Sequence, residues 1–390
     1  MDATAALERL VGFDTTSRNS NKELVEFVAD FLRDHGVAVD LVESAPGKLG
    51  LIGQLGPSAD GGIVVCGHTD TVPVDGQDWS TDPYVLTTTG DALVGRGVVD
   101  MKGFVAAVLS AVPRFAEKDL RRPVTIALTA DEEIGCLGAD AVAAALRTGP
   151  RPLGVVVGEA TAMGVAQGHK GVRVIDVEVI GKEVHSSQPQ SGANANFGAA
   201  RIVAAIADLA DDLAKAGVQA EDFTPPYTTT NVGRLHGGTA LNIVPGRSTL
   251  TWEFRVVPGD DAQRIEDRIA EVVTKQVVPA LRTTWPQADV VMRRVADVPC
   301  LDPAGNVEVA DLVERLGRLQ RRGPVSYGTD GSILQAAGLP SVVVGPGQID
   351  QMHQPDEALR LDELAACERF LDDLADWLAS DATSPDTARG

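Results

Sequence analysis

The sequence predicts an α/β protein: a sheet-based domain with helices on its faces, interrupted by a smaller α+β domain. Three observations carry the prediction. Through residue 171, short continuously apolar runs alternate with stretches of helical periodicity, as buried strands alternate with the helices that cover them. From about Val172 to Arg294 the pattern shifts to strands with period-two alternation and long charged helices. The first pattern then returns, so residues 1–171 and 295–390 read as one domain in two pieces around an insertion at 172–294. At 390 residues the chain is long enough for two domains of roughly 100–200 residues, and its 44% hydrophobic content can fill a core in each.

The elements follow in order. NKELVEFVADFLRDHG (21–36) has apolar residues at helical spacing and a glycine where the helix should stop, whereas GIVVCG (62–67) is a short buried strand. FVAAVLSAVPRFAEK (104–118) reads as helix, RRPVTIALTA (121–130) as strand, GADAVAAALRTG (138–149) as helix and GVVVGEA (154–160) as strand. In the insertion, GHKGVRVIDVEVIGKEVHSS (168–187) alternates as a strand and NANFGAARIVAAIADLADDLAKAG (194–217) is a long helix. TTTNVGRLHGG (228–238) and STLTWEFRVVPG (248–259) are strands, and DAQRIEDRIAEVVTKQVVPAL (261–281) is a charged helix. GNVEVADLVERLGRL (305–319) and LDELAACERFLDDLADWLAS (361–380) are helices, with LPSVVVGPG (339–347) a strand running into a loop between them. DATSPDTARG (381–390) reads as a frayed polar tail.

Composition narrows the function classes. The formal net charge of −21 would repel a phosphate backbone or an anionic membrane surface, so neither nucleic acid nor membrane is an expected partner. MDATAALERLVGFDTTS lacks the basic and apolar regions of a signal peptide, and the expectation is a cytoplasmic protein. Cys66, Cys136, Cys300 and Cys367 are scattered without a Cys-x-x-Cys pair, which suggests neither a disulfide scaffold nor a zinc ribbon. The glycines of GHKG belong to no complete phosphate-binding fingerprint. Ser186 and Ser187 invite a serine-nucleophile reading that other residues make unnecessary.

Those residues sit where apolar runs give way to loops. GHTDTVP (67–73) places His68 and Asp70 directly after a buried strand, and GRGVVDMKG (95–103) places Asp100 before a helix. ALTADEEIG (127–135) carries Glu132 and Glu133, VVVGEA carries Glu159, and GPGQIDQMHQPDE (345–357) carries His353. Loops at one edge of a sheet can gather such distant positions into one pocket. Imidazoles and carboxylates together can hold two divalent ions that polarise a carbonyl and activate water. In such a site a carboxylate left over from the ligand set, Glu132 or Glu133, could accept the water's proton.

GHTDTVPVDGQDWSTDPY, GRGVVDMKGFVAA, TADEEIGCLGA, GEATAMGVAQGHKG, VHSSQPQSGANA and GPGQIDQMHQPDE, in this order across nearly the whole chain, resemble the M20 family of dinuclear metallopeptidases and amide hydrolases. The resemblance implies a metal-binding catalytic domain with an inserted lid and dimerisation domain. It implies His68, Asp100 and Glu159 as ligands of one ion, Asp100, Glu133 and His353 as ligands of the other, and zinc or cobalt as the ions. Glu132 would be the acid-base residue, and Asp70 would orient His68. His185, from a neighbouring subunit of a homodimer, would donate to the developing oxyanion, while Asn242 and Arg255 would hold substrate oxygens. The implied reaction is hydrolysis of a small N-acyl amino acid, N2-acetyl-L-ornithine first. Succinyl-diaminopimelate desuccinylation, broader N-acyl deacylation, dipeptide hydrolysis and a non-enzymatic metal-dependent scaffold are the alternatives. Local departures, such as GEA at Glu159 and YGTDGS at Thr329 and Asp330, remove no ligand and bear on the substrate pocket.

Overall fold

The structure is a computed structural model that describes residues 1–381; all but the first residue of the expected polar tail lies outside that range. The chain divides into two compact units, the first holding 1–169, 301–325 and the described residues from 329 on, the second holding 170–300 and 326–328. The expected second boundary at Arg294 falls inside a strand, Asp289–Val298, which pairs with Gly171–Ile180 of the second unit on both sides of an irregularity between Arg294 and Ala296.

The strands, in chain order, are β1 (Ala38–Ala45), β2 (Lys48–Leu55), β3 (Ile63–His68), β4 (Thr87–Thr89), β5 (Ala92–Val94), β6 (Val124–Thr129), β7 (Gly154–Val157), β8 (Val165–Ala166), β9 (Gly171–Ile180), β10 (Thr229–Gly237), β11 (Arg247–Val256), β12 (Asp289–Val298), β13 (Arg321–Arg322), β14 (Ser341–Val343) and β15 (Ala358–Arg360). The helices are α1 (Ala3–Val11), α2 (Lys22–Asp34), α3 (Lys102–Glu117), α4 (Ala139–Leu146), α5 (Ala195–Ala216), α6 (Ala262–Val272), α7 (Val278–Arg282), α8 (Val307–Gly317), α9 (Asp330–Ala336) and α10 (Leu361–Ala379).

In the first unit an eight-stranded sheet has the order β1-β2-β6-β3-β7-β14-β8-β13, and β15-β5-β4 form a small second sheet. The central strands β3, β7 and β14 are buried along their whole length because helices cover both faces, which explains their unbroken apolar sequence. Successive side chains of β3 serve opposite faces. Ile63 and Val65 pack into the core that includes Phe104 and Val108 of α3 and Phe370 and Leu374 of α10. Val64 and Cys66 pack with Val142 and Leu146 of α4 and Leu334 of α9. Each such side chain removed from water contributes about 1.5–3 kcal/mol.

Register decides where the polar residues emerge. β3 runs parallel to β6 and β7, with His68 opposite Thr129 and Cys66 opposite Val157, and β14 runs parallel to β7 with Val343 opposite Val157. The carboxyl ends of four strands therefore open on one edge, where ligands bind in open α/β sheets. Glycines allow the close approach beyond these strands: a Cβ on Gly345 would lie 1.9 Å from the Gly158 carbonyl oxygen, and a Cβ on Gly158 would lie 2.0 Å from the Phe104 ring.

The second unit is a four-stranded antiparallel sheet, β10-β11-β9-β12, with helices on one face. Ile175, Val177 and Val179 of β9 and Leu250, Trp252 and Phe254 of β11 point to the covered face, against Ile202, Ile206 and Leu209 of α5 and Ile265 and Ile269 of α6. The single helix expected over 261–281 is instead α6, a wider turn at Val273–Val277, and α7. Pro279 is the physical cause, since it supplies no N–H to the preceding turn and its ring crowds the carbonyl there.

Candidate metal centre

β3 ends at His68, whose imidazole is buried. Its Nδ1–H donates to the backbone oxygen of Asp70 at 3.0 Å, which orients the ring and turns Nε2 toward the neighbouring carboxylates. Nε2 is 2.9 Å from Oδ1 of Asp100 and 3.3 Å from Oε1 of Glu159. The other oxygen of Asp100, Oδ2, is 2.9 Å from Nε2 of His353, and that nitrogen is 3.1 Å from Oε2 of Glu133. Two groups result, His68 with Asp100 and Glu159, and Asp100 with Glu133 and His353, each with its ligand atoms within 4.8 Å of one another. Asp100 belongs to both.

Imidazoles and carboxylates of this kind are the donor set of zinc, cobalt and manganese. Fit to a cation can be tested on the residues themselves. Oε2 of Glu159 is buried and has no hydrogen-bond partner among the described residues, a costly state for a carboxylate oxygen that a cation in the first group would relieve. Electrostatics point the same way. Burial and the nearby Asp100 charge push Glu159 up to about 8, and the same two causes push Glu133 up to about 7. Burial would raise Asp100 as well, but hydrogen bonds from His353 and His68 hold it below the usual carboxylate range. Hydrogen bonds to Asp100 and Glu133 push His353 up to about 10. Crowding of the carboxylates thus raises the affinity of Glu133 and Glu159 for a positive charge.

Glu132 and Glu133 follow β6 through Asp131, whose φ of 57° turns the chain sharply in a conformation that few side chains adopt. Three contacts hold this turn. Lys48 Nζ reaches Asp131 Oδ1 at 2.5 Å, the Glu132 N–H donates to Asp70 Oδ1 at 3.1 Å, and the Glu133 N–H donates to Asp70 Oδ2 at 3.3 Å. Ser17 Oγ donates to Asp70 Oδ2 at 2.7 Å. The Asp70 carboxylate therefore spends its lone pairs mainly on the Glu132–Glu133 backbone; it stands 3.5 Å from His68 Nδ1, while the backbone oxygen of the same residue makes the closer contact to the ring. Adjacent Glu132 and Glu133 then diverge. The Val72 N–H donates to Glu133 Oε1 at 3.2 Å, leaving Oε2 for His353, whereas among the described residues Glu132 takes part in neither ligand group and accepts from Cys136 Sγ at 3.6 Å. Burial, with Glu159, Asp330 and Glu133 adding to it, pushes the Glu132 carboxyl well above its ordinary value. His353 itself sits at φ 64°, a second strained position at the same centre.

Sequence spacing carried no sign of Ser17, Lys48, Arg96 or Glu357: Ser17 bonds the Asp70 carboxylate, Lys48 the Asp131 carboxylate, Arg96 the Glu357 carboxylate, and Glu357 the backbone N–H groups of Gly97, Val99 and Asp100. Asp330, at the start of α9, is buried, accepts a hydrogen bond from Thr129 and is pushed up to about 6 by burial.

The remaining expected residues lie in the second unit. His185 and Asn242 sit together, with His185 bridging to Ile243 and the Ser186 N–H donating to the Asn242 carbonyl at 2.9 Å. The Ser187 N–H donates to His185 Nδ1 at 3.1 Å and Ser187 Oγ lies 2.8 Å from the same nitrogen, so Nδ1 is engaged within the loop and Nε2 is the ring nitrogen left for another partner. Arg255 is paired with Glu253 at 3.1 Å and lies at the other end of β11, opposite Val172, whereas Arg247 near the Asn242 loop lies opposite Ile180. At about 3.3 Å per residue, Arg247 and Arg255 stand about 26 Å apart along the strand.

Comparison with known proteins gives this centre a family. The sequence profile of peptidase family M20/M25/M40 matches residues 64–377. The acetylornithine deacetylase of Aliivibrio salmonicida (strain LFI1238) is 34% identical over 353 residues, covering 89% of this chain and 89% of that protein. The acetylornithine deacetylase of Photorhabdus laumondii is 31% identical over 366 residues, 93% of this chain and 92% of its own. Among solved structures, an M20 family metallo-carboxypeptidase from Sulfolobus solfataricus superposes with a TM-score of 0.77 at 17% identity, over 97% of this chain and 100% of that one. A dinuclear metal binding peptidase of the M20 family from Bacillus subtilis does so with a TM-score of 0.64 at 15% identity, over 96% and 97%. At such identities the two structures speak for the fold, and the family profile together with the sequence relatives makes the assignment: the chain belongs to the M20/M25/M40 peptidase family and is a hydrolase of amide bonds.

Proposed function

We propose that the protein hydrolyses N2-acetyl-L-ornithine to L-ornithine and acetate in arginine biosynthesis, in the cytoplasm and as a homodimer. Glu132 is the observation that carries hydrolysis: a carboxylate beside both ligand groups, belonging to neither and with its proton affinity raised by burial. Two divalent ions held by His68, Asp100, Glu133, Glu159 and His353, zinc or cobalt, supply Lewis acidity toward the acyl carbonyl and lower the pKa of water. Glu132 takes the proton of the attacking water and returns it to the leaving amine nitrogen, which a carboxylate with a raised pKa can do in both directions. Asp70 keeps Glu132 at its post through the backbone. His185, through its Nε2, donates to the oxyanion that forms on the acyl oxygen. Asn242 and Arg255 hold substrate oxygens, the guanidinium of Arg255 exchanging Glu253 for the substrate carboxylate.

The homodimer rests on two features of the second unit. Arg255 lies at the other end of β11 from Arg247 and the nearby Asn242 loop, about 26 Å along the strand, a spacing that favours a substrate shared between two copies of the unit. β10 is an edge strand, and near it Phe197 and Leu241 are 68% and 102% exposed, an apolar surface suited to a second copy. Three of the cysteines, Cys66, Cys136 and Cys367, are buried free thiols, in keeping with a reducing compartment.

The substrate is tested by release assays run side by side on N2-acetyl-L-ornithine, N-succinyl-L,L-diaminopimelate, other N-acyl amino acids and dipeptides. Acetylornithine should turn over with the highest kcat/KM. Faster release from another member, with acetylornithine left intact, would replace the substrate and leave the hydrolytic chemistry standing.

A further inference from the structure

The loop that carries Asp100 is tied to the rest of the first unit by a carboxylate outside both ligand groups. Glu357 is fully buried, and four donors converge on it. The N–H groups of Val99 and Asp100 donate to Oε1 at 2.7 and 3.1 Å, and the Gly97 N–H and Arg96 Nη1 donate to Oε2 at 3.0 and 2.7 Å. Three of the four are backbone groups of the Asp100 loop, curled around one anion. Arg96 is buried as well and carries the network onward: it donates to Gln77 Oε1 and lies over the Trp79 ring at 4.9 Å. Gln77 in turn donates to the His353 carbonyl at 2.8 Å. Glu357 itself follows His353 by four residues, in HQPDE. One buried ion pair therefore joins the Gln77 segment, the Asp100 loop and the His353 loop.

We infer that Glu357, paired with Arg96, is a positioning residue that sets where the shared ligand Asp100 stands relative to His68 and His353, and thereby the affinity of both cation sites together. The inference rests on the metal-centre reading above. Its physical basis is geometric. Asp100 must present its two oxygens to two imidazoles that each stand 2.9 Å away, and a ligand shell of that kind tolerates displacements of only about 0.5 Å. A carboxylate can accept from all four donors at once. A glutamine can accept with one oxygen only, and its NH₂ group would face N–H donors, so the loop must move. Arg96, 2.7 Å from Glu357 Oε2, offsets part of the cost of burying the carboxyl group among these donors.

The test is a Co²⁺ titration of the metal-free protein, reading bound equivalents by equilibrium dialysis and coordination by the visible absorption of the ion. Glu357→Gln should weaken both equivalents by about 10- to 100-fold, the range for partners that orient metal ligands, and alter the absorption bands. Arg96→Lys, which keeps the charge but loses the fork, should weaken them less. Trp252→Ala, a core change in the second unit, serves as the control for stability alone: its cobalt affinity should match the wild type however far its thermal midpoint falls. Wild-type affinity and spectrum in folded Glu357→Gln would overturn the assignment even if that variant melts early. Should Glu357→Gln not fold, Arg96→Lys decides, with unchanged affinity overturning the assignment. Weakening of one equivalent alone would also overturn it, because Asp100 serves both sites. Failure of the wild type to bind cobalt at all would instead overturn the metal-centre reading, so the two failures are distinguishable without any substrate.

Discussion

At the scale of single residues, the division of labour between Glu132 and Glu133 is the most exposed part of the account. Glu132→Gln keeps side-chain size and leaves all five ligands in place, so it should retain both ions while turnover falls by about 10²- to 10⁴-fold, the usual contribution of a positioned acid-base group. Metal analysis beside the rate measurement checks it; a fully loaded variant with near wild-type kcat would remove Glu132 from the proposed role. The ligands also predict a pH dependence. Glu133 and Glu159 are pushed up to about 7 and about 8 without metal, and a cation binds only their deprotonated forms. Protons therefore compete below those values and, at His353, up to about 10, so apparent metal affinity should rise from pH about 6 through about 8 and continue toward 10, with proton release on binding measurable by calorimetry in buffers of different ionisation enthalpy. A flat affinity over that window would contradict the assignment. His68, Glu133 and Glu159 stand out in the sequence because they lie at or just beyond the ends of apolar strands, whereas Asp100 and His353, in loops, join the proposed ligand set chiefly through the family resemblance. Ser17, Lys48, Arg96 and Glu357 do not stand out, because each works on backbone N–H and carbonyl groups or on another side chain far along the chain, and spacing carries no record of such partners. Asp70 was legible as support for His68, but its carboxylate's grip on the Glu132–Glu133 backbone required the folded turn.

At the scale of elements, the strands buried on both faces and the amphipathic helices could be read directly, since continuous apolar runs and helical stripes are what sheet layers demand. The β1–β2 hairpin and α9 could not. β1 alternates between exposed and half-buried positions only, so no apolar face marks it, and α9 spans only Asp330–Ala336 with a buried aspartate at its start. The end of the insertion was misplaced for a related reason. Arg293, Arg294 and Asp297 interrupt the apolar pattern of β12, yet Asp297 is held there by a bidentate bond from Arg173 at 2.9 and 2.8 Å, and the strand runs on to Val298. The second unit's core centres on Trp252, fully buried and stacked on Phe254 at 5.1 Å. Trp252→Ala should cost about 3–5 kcal/mol, read from the denaturant midpoint of the transition of that unit, and a loss below about 1 kcal/mol would show that its packing contributes little.

At the scale of the whole molecule, function depends on two chains if His185 serves its partner. His185→Ala and Glu132→Gln proteins, each weak alone, should recover part of the activity when mixed as heterodimers, because one of the two centres then holds native Glu132 and His185. Absence of recovery in confirmed heterodimers with full metal content would confine His185 to its own chain. Beneath this lies the central claim that the centre around Asp100 hydrolyses an N-acyl amino acid only when its cations are present. The most direct test removes all metal by chelation and then follows acetate release from N2-acetyl-L-ornithine as divalent ion is returned in measured equivalents. The account predicts no turnover in metal-free protein and a rate that climbs to its maximum at two bound ions per chain. Full turnover with less than one bound ion per chain, or turnover that survives complete removal, would contradict it.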